Sequence, residues 1–166
     1  MRSMALLLLL PAAAAFAQKP APYESPDGSF RVAFPKEPTV QSRKLATPAG
    51  QVPVTTTRIE AHKELVLSVT VTTYPDSFAD VTPAKLFDAV RDGMKSADGT
   101  VKSEKEISFG AAKHPGRDVV IDAGKTTIHA RLILVDHRLY QVMLTGSKDR
   151  VAASEGEFLK SFELLK

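Results

Sequence analysis

After Gly99 the apolar stretches of this chain are separated by only a few residues each, and that spacing constrains the fold more than any other feature. Arg117 to Ala123 is centred on Val119 and Ile121, and Ala123-Gly124-Lys125 turns it back. Thr126 to Val135 follows, then the tight Asp136-His137-Arg138 connection, then Leu139 to Leu144. Strands joined so closely must pair antiparallel, because a parallel crossover consumes a dozen or more residues. Leu132-Ile133-Leu134-Val135 is continuously apolar, which predicts burial on both faces and a central position in the sheet. Val101 to Phe109 alternates weakly and reads as a further strand, with His114-Pro115-Gly116 as the turn after it.

The first half adds the remaining elements. Tyr23-Glu24-Ser25-Pro26-Asp27-Gly28 reads as a turn, and Phe30, Val32 and Phe34 alternate as a half-buried strand ended by Pro35 and Pro38. Val40 to Gly50 is polar and reads as a connection closing in a Pro48-Ala49-Gly50 turn. Val52 to Ala61 and Leu65 to Tyr74 form an antiparallel hairpin across His62-Lys63-Glu64, with Pro53 giving its first residues edge character. Thr82-Pro83 opens a helix whose Leu86, Phe87, Val90 and Met94 share one face. Ser147 or Asp149 caps a second helix running to about Ser161, weakened at Gly156. The fold class expected is therefore α+β, a twisted antiparallel sheet flanked by helices.

The N-terminus stands apart from this pattern. Arg2, the apolar run Ala5 to Leu10 and the small-x-small Ala15-Phe16-Ala17 have the organisation of an export leader, too short for a membrane span. We expect residues 1–17 to be a signal peptide cleaved after Ala17, residues 18–24 a flexible lead-in, and residues 25–166 one α+β domain, periplasmic or secreted. No later segment is apolar enough to cross a bilayer. The chain contains no cysteine, so it has no disulfide, thiol nucleophile or Cys-based metal site, and its core alone must hold it. Its 22 Lys and Arg against 19 Asp and Glu are spread along the sequence, and tryptophan is absent, so nucleic acid is not an expected partner.

Several runs together carry a family resemblance: Ser25-Pro26-Asp27-Gly28-Ser29-Phe30-Arg31-Val32-Ala33-Phe34-Pro35, Gly116-Arg117-Asp118, Arg131-Leu132-Ile133-Leu134-Val135, Arg138-Leu139-Tyr140-Gln141 and Phe158-Leu159-Lys160-Ser161-Phe162. The chain resembles the small exported bacterial domains of the PsbP/Mog1-like α/β/α sandwich type. The resemblance implies that fold and a non-enzymatic binding or assembly-assisting role, with no catalytic residue to carry over. As an analogy of fold, it does not itself fix a function.

Motifs for chemistry are sparse. His62, His114, His129 and His137 have neither HExxH nor close metal-ligand spacing, so no metal is expected. Gly146-Ser147 lacks the second glycine of a nucleophile elbow, and Gly124-Lys125-Thr126 runs into a strand, away from any helix N-terminus. Asp118 and Asp122 lie about 13 Å apart on an extended strand, beyond a glycosidase pair. Arg117, His129 and Arg131 are the candidate ligand-binding residues: if neighbouring strands bring them together, they form a cationic patch for an anionic ligand. Salt bridges to Asp118, Asp122 or Glu104 are the alternative use of the same charges. The expected activity is non-enzymatic binding to a protein or envelope component, by a monomer without a cofactor. A small anionic-ligand carrier or an enzyme built on the three residues is the second expectation.

Overall fold

The structure, a computed structural model, describes residues 22–47, 50–95 and 99–165. The expected leader, residues 1–17, and the tip of the Pro48-Ala49-Gly50 turn lie outside the described residues. In chain order the elements are β1 (Tyr23–Glu24), β2 (Phe30–Val32), β3 (Thr39–Thr47), β4 (Gly50–His62), β5 (Leu65–Thr73), α1 (Pro83–Met94), β6 (Thr100–Phe109), β7 (His114–Ala123), β8 (Thr126–Val135), β9 (Arg138–Gly146), α2 (Lys148–Ser161) and β10 (Glu163–Leu164), with a 3-10 turn at Asp76–Phe78. Seven strands form one sheet in the order β3-β4-β5-β9-β8-β7-β6, and β1, β2 and β10 form a small second sheet in the order β1-β2-β10. Every pairing is antiparallel, as the short connections require.

Strand periodicity divides the apolar residues between two layers. Leu65, Leu67, Val69 and Val71 of β5 lie beside Tyr140, Val142 and Leu144 of β9 on one face. Val151, Phe158 and Leu159 of α2 cover that face, together with Phe30, Val32, Phe34 and Phe162. Phe30 stacks on Phe162 at 5.6 Å and meets Tyr140 edge-on at 6.3 Å, so the small sheet is fastened to the large one by rings. On the opposite face, Phe87 of α1 is buried against Ala130, Leu132 and Leu139. Thr82 caps α1 by accepting from the Lys85 amide at 3.4 Å, and Pro83 occupies the first turn. The two helices thus lie on opposite faces of the sheet.

Two local devices set the geometry. The Ser25–Ser29 turn closes around Asp27, whose carboxylate accepts from both serine hydroxyls at 2.8 Å and from the Ser29 amide at 3.2 Å. It also pairs with Arg138 of β9, across which the guanidinium lies on Tyr140. At the other end of the sheet, Gly146 leaves no room for a side chain: a Cβ there would stand 2.1 Å from the Glu64 carbonyl oxygen. That carbonyl accepts from the Ser147 amide at 3.1 Å, and Glu64 has φ 69°, so the β4–β5 turn is held down on β9.

Four details differ from the sequence reading. Residues 39–47 are a strand, where polarity suggests a loop. His114-Pro115-Gly116 begins β7, and the preceding turn is Gly110–Lys113, closed by a Lys113 amide bond to the Gly110 carbonyl at 3.1 Å. Tyr23 and Glu24, expected in the flexible lead-in and the turn, pair with Val32 and Arg31. Phe30–Val32 joins the small sheet, not the large one. Pro53 sits where only β3 flanks β4, because β5 first pairs at Val54, so its missing donor costs no ladder bond on the β5 side.

Candidate functional site

Arg117, His129 and Arg131 do not converge. Arg117 lies opposite Leu132, and Arg131 lies opposite Asp118. Adjacent positions on a strand point to opposite faces, so Arg117 is directed under α1 while Arg131 and His129 face α2. The patch expected from the sequence is therefore not assembled, and the alternative use of these charges is the one observed for both arginines. Arg117 is 6% exposed and sends Nη1 to Asp88 Oδ1 and Glu104 Oε1, both at 2.6 Å, with its guanidinium 5.5 Å from the Phe87 ring centre. Burial alone would lower its affinity for a proton, but the bonds to Asp88 and Glu104 raise it overall. Arg131 makes a forked pair with Asp118 at 2.8 and 2.9 Å and donates to the Leu159 carbonyl at 3.1 Å, in the last turn of α2. His129 Nδ1 lies 2.7 Å from Glu155 Oε2. These three groups join helices to the sheet and are already occupied.

Two other features remain open. The first is an apolar pocket of about 290 Å³ at one end of α1, lined by Tyr74, Phe78, Val81, Leu86 and Leu134 with Asp136 and His137 at its rim. Tyr74 and Phe78 are 4.9 Å apart, and burial pushes the Tyr74 hydroxyl above its ordinary pKa. Among the described residues no group of three acidic, His or Cys side chains is placed to hold a metal ion, and no helix is long and apolar enough to cross a membrane.

The second is the β3 edge. β3 pairs with β4 without a break from Thr39–Arg58 to Thr47–Gly50, and no described strand lies on its other side. Beyond Val54, β4 has no β5 partner, so Lys44–Thr47 and Gly50–Pro53 continue past β5 as a two-stranded arm, in which Val52 is buried while its partner Leu45 is not. Gln41, Arg43 and Leu45 lie on the face that α1 covers further along the sheet, and Val40, Ser42 and Lys44 on the other. Val40 is 39% and Leu45 44% exposed, the two large apolar side chains left in solvent among the described residues. Arg43, Lys44 and Arg58 make no ion pair among the described residues, and no Asp or Glu occurs between Glu37 and Glu60.

The opposite edge, β6, is built differently. It has a register shift between Val101 and Ser103 and carries both signs of charge. Lys102 pairs with Asp122 at 3.5 Å, and Glu104 binds Arg117 and Arg91. Bulges and paired charges are the usual means of closing an edge. β3 was not legible as a strand because four of its nine residues are strongly polar, and only its β-branched Thr39, Val40 and Thr47 with the Pro-Ala-Gly turn hinted at a hairpin arm.

No family model matches the chain, and no curated protein matches it in sequence. The solution structure of cyanobacterial PsbP (CyanoP) from Synechocystis sp. PCC 6803 superposes with a TM-score of 0.59 at 15% identity, covering 93% of this chain and 98% of that one. A protein of unknown function from Pseudomonas aeruginosa matches at a TM-score of 0.40 and 11% identity, covering 82% and 88%, too distant a likeness to carry an argument. The chain has a PsbP-like α+β fold.

Proposed function

We propose that this protein is an exported, non-enzymatic binding or accessory module that engages a protein or envelope component through the β3 edge and the β3–β4 arm. The observation that carries the reading is the contrast between the two sheet edges. β6 is bulged and ion-paired, whereas β3 presents a regular backbone with no described strand beside it, exposed Val40 and Leu45, and three cations that make no ion pair among the described residues. An exposed regular edge is a template for another chain and a liability unless something covers it. The small-anion alternative loses its support, because Arg117 and Arg131 each hold a carboxylate of the same chain and His129 sits against Glu155. The PsbP-like fold is compatible with an accessory role and does not by itself name one.

The test is site-specific photocrosslinking in the native host. A photoreactive residue at Gln41 or Leu45 is expected to give a discrete adduct, identified by mass spectrometry, while the same residue at Lys105 on β6 gives none. Absence of adducts at both β3 positions, or equal adducts at Lys105, rejects β3 as the working surface.

A further inference from the structure

We infer that the β3 edge accepts an acidic, extended segment of a partner protein as an eighth strand of the sheet, an inference that rests on β3 being the contact surface proposed above. The backbone sets the shape of the ligand. The outward amides and carbonyls of a straight nine-residue edge are matched in spacing by another strand, and a helix or loop would leave most of them unmet.

Charge sets its chemistry. Arg43 and Lys44 are neighbours in sequence and therefore project to opposite faces, so an added strand meets a cation on each side of its own pleat. Arg58 stands beside Thr39 on the next strand and adds a third positive charge that makes no ion pair among the described residues. A second copy of this chain is disfavoured by the same residues. Arg43 is the midpoint of β3, so antiparallel self-pairing about that point sets Arg43 against Arg43, and like charges directly opposed are destabilising. Cations on an edge thus repel a twin and select an anion. The apolar residues complete the pattern: Val40 and Leu45 flank the charged pair, one on each face, and both are exposed. The complementary segment has two adjacent acidic residues at its centre and β-branched apolar residues towards its ends.

Three synthetic peptides test this against the full-length protein. The first is Val-Thr-Val-Glu-Glu-Thr-Val-Thr, the second replaces Glu-Glu by Lys-Lys, and the third places Pro at the centre of the acidic peptide. The acidic peptide is expected to shift the backbone amide resonances of β3 and to bind about tenfold more tightly than the other two, with affinity falling as salt is raised. The double variant Arg43→Glu, Lys44→Glu is expected to reverse the preference between acidic and basic peptides, with an unchanged circular dichroism spectrum showing that the fold survives. Equal binding of acidic and basic peptides, shifts centred on β6 or on the Tyr74 pocket, or a concentration-dependent dimer abolished by the double variant would each overturn the inference. Crosslinks at β3 in the host without any acidic preference remove this inference and leave the binding-module reading intact. Acidic-peptide pairing without any host adduct does the reverse.

Discussion

Replacing Arg117 by methionine should leave the protein close to its original stability, although Arg117 is the most deeply set cation described. Its side chain is 7% exposed, but its partners are not buried with it: Asp88 is 50% and Glu104 27% exposed. Removing one member of a buried pair costs roughly 3–5 kcal/mol when the other is left stranded away from water. Here water reaches both carboxylates, so that penalty does not arise. The variant loses the charge-assisted bonds to Asp88 and Glu104, together worth about 1.5–3 kcal/mol net, and the stacking on Phe87, worth about 1 kcal/mol. It gains relief from a desolvated guanidinium whose Nε has no hydrogen-bond partner, worth about 1–3 kcal/mol, and methionine fills most of the space over Phe87. Gains set against losses leave a net destabilisation of about 1 kcal/mol and at most about 3 kcal/mol. Glu104→Gln, by contrast, leaves the sunken cation with less compensation and should cost about 1–3 kcal/mol. Urea unfolding followed by circular dichroism gives both midpoints, and an unchanged slope confirms that the same transition is measured. A loss of 3 kcal/mol or more in the methionine variant, with Glu104→Gln neutral, refutes the reasoning.

Gly146→Ala should be among the most damaging single-atom additions, at about 3 kcal/mol or more, because the methyl group meets a backbone carbonyl with no flexible end to yield; a thermal midpoint unchanged within error contradicts the geometry. The Asp27 carboxyl is raised by burial but held well below its ordinary 3.8 overall by hydrogen bonds from Arg138, Ser25 and Ser29. Its folded pKa is the lower one, so its stabilisation is full above about pH 5 and is lost as pH falls through about 4 and below. The stability gap between wild type and Asp27→Asn should therefore shrink over that range; a gap independent of pH counts against it. Phe162→Ala removes a ring shared by Phe30, Phe109 and Tyr140 and should cost about 3–5 kcal/mol in denaturant unfolding; a cost below about 1 kcal/mol would show that these rings do not hold the small sheet.

The elements most visible in the sequence are those with the cleanest periodicity. The four alternating apolar residues of β5, the Thr82-Pro83 start of α1 and the two-residue breaks after Ala123 and Val135 all stand where residue chemistry places them. What was hidden needs tertiary context. β3 carries polar residues on both faces, because no described strand lies on its outer side and the buried apolar residues of the arm, Val52 and Val54, come from β4. The β1-β2-β10 sheet joins residues more than a hundred positions apart in runs of two or three, too short for any period to show. The candidate patch failed through parity: Arg117 and Arg131 lie on neighbouring strands, and only the register, which sets Asp118 opposite Arg131, reveals that they point apart.

The pairing of Glu163 with Arg31 and Leu164 with Phe30 has a consequence for how the molecule comes into being. Synthesis runs from N- to C-terminus, so β2 can pair with β1 at once but waits for its other neighbour, β10, until well over a hundred further residues have been made. Phe30 has Tyr23 beside it from the start, but its stacked contact waits for Phe162. A growing polypeptide therefore keeps one side of β2 open until residues 162–164 are free, and closes there in a late step that sets β10 beside β2.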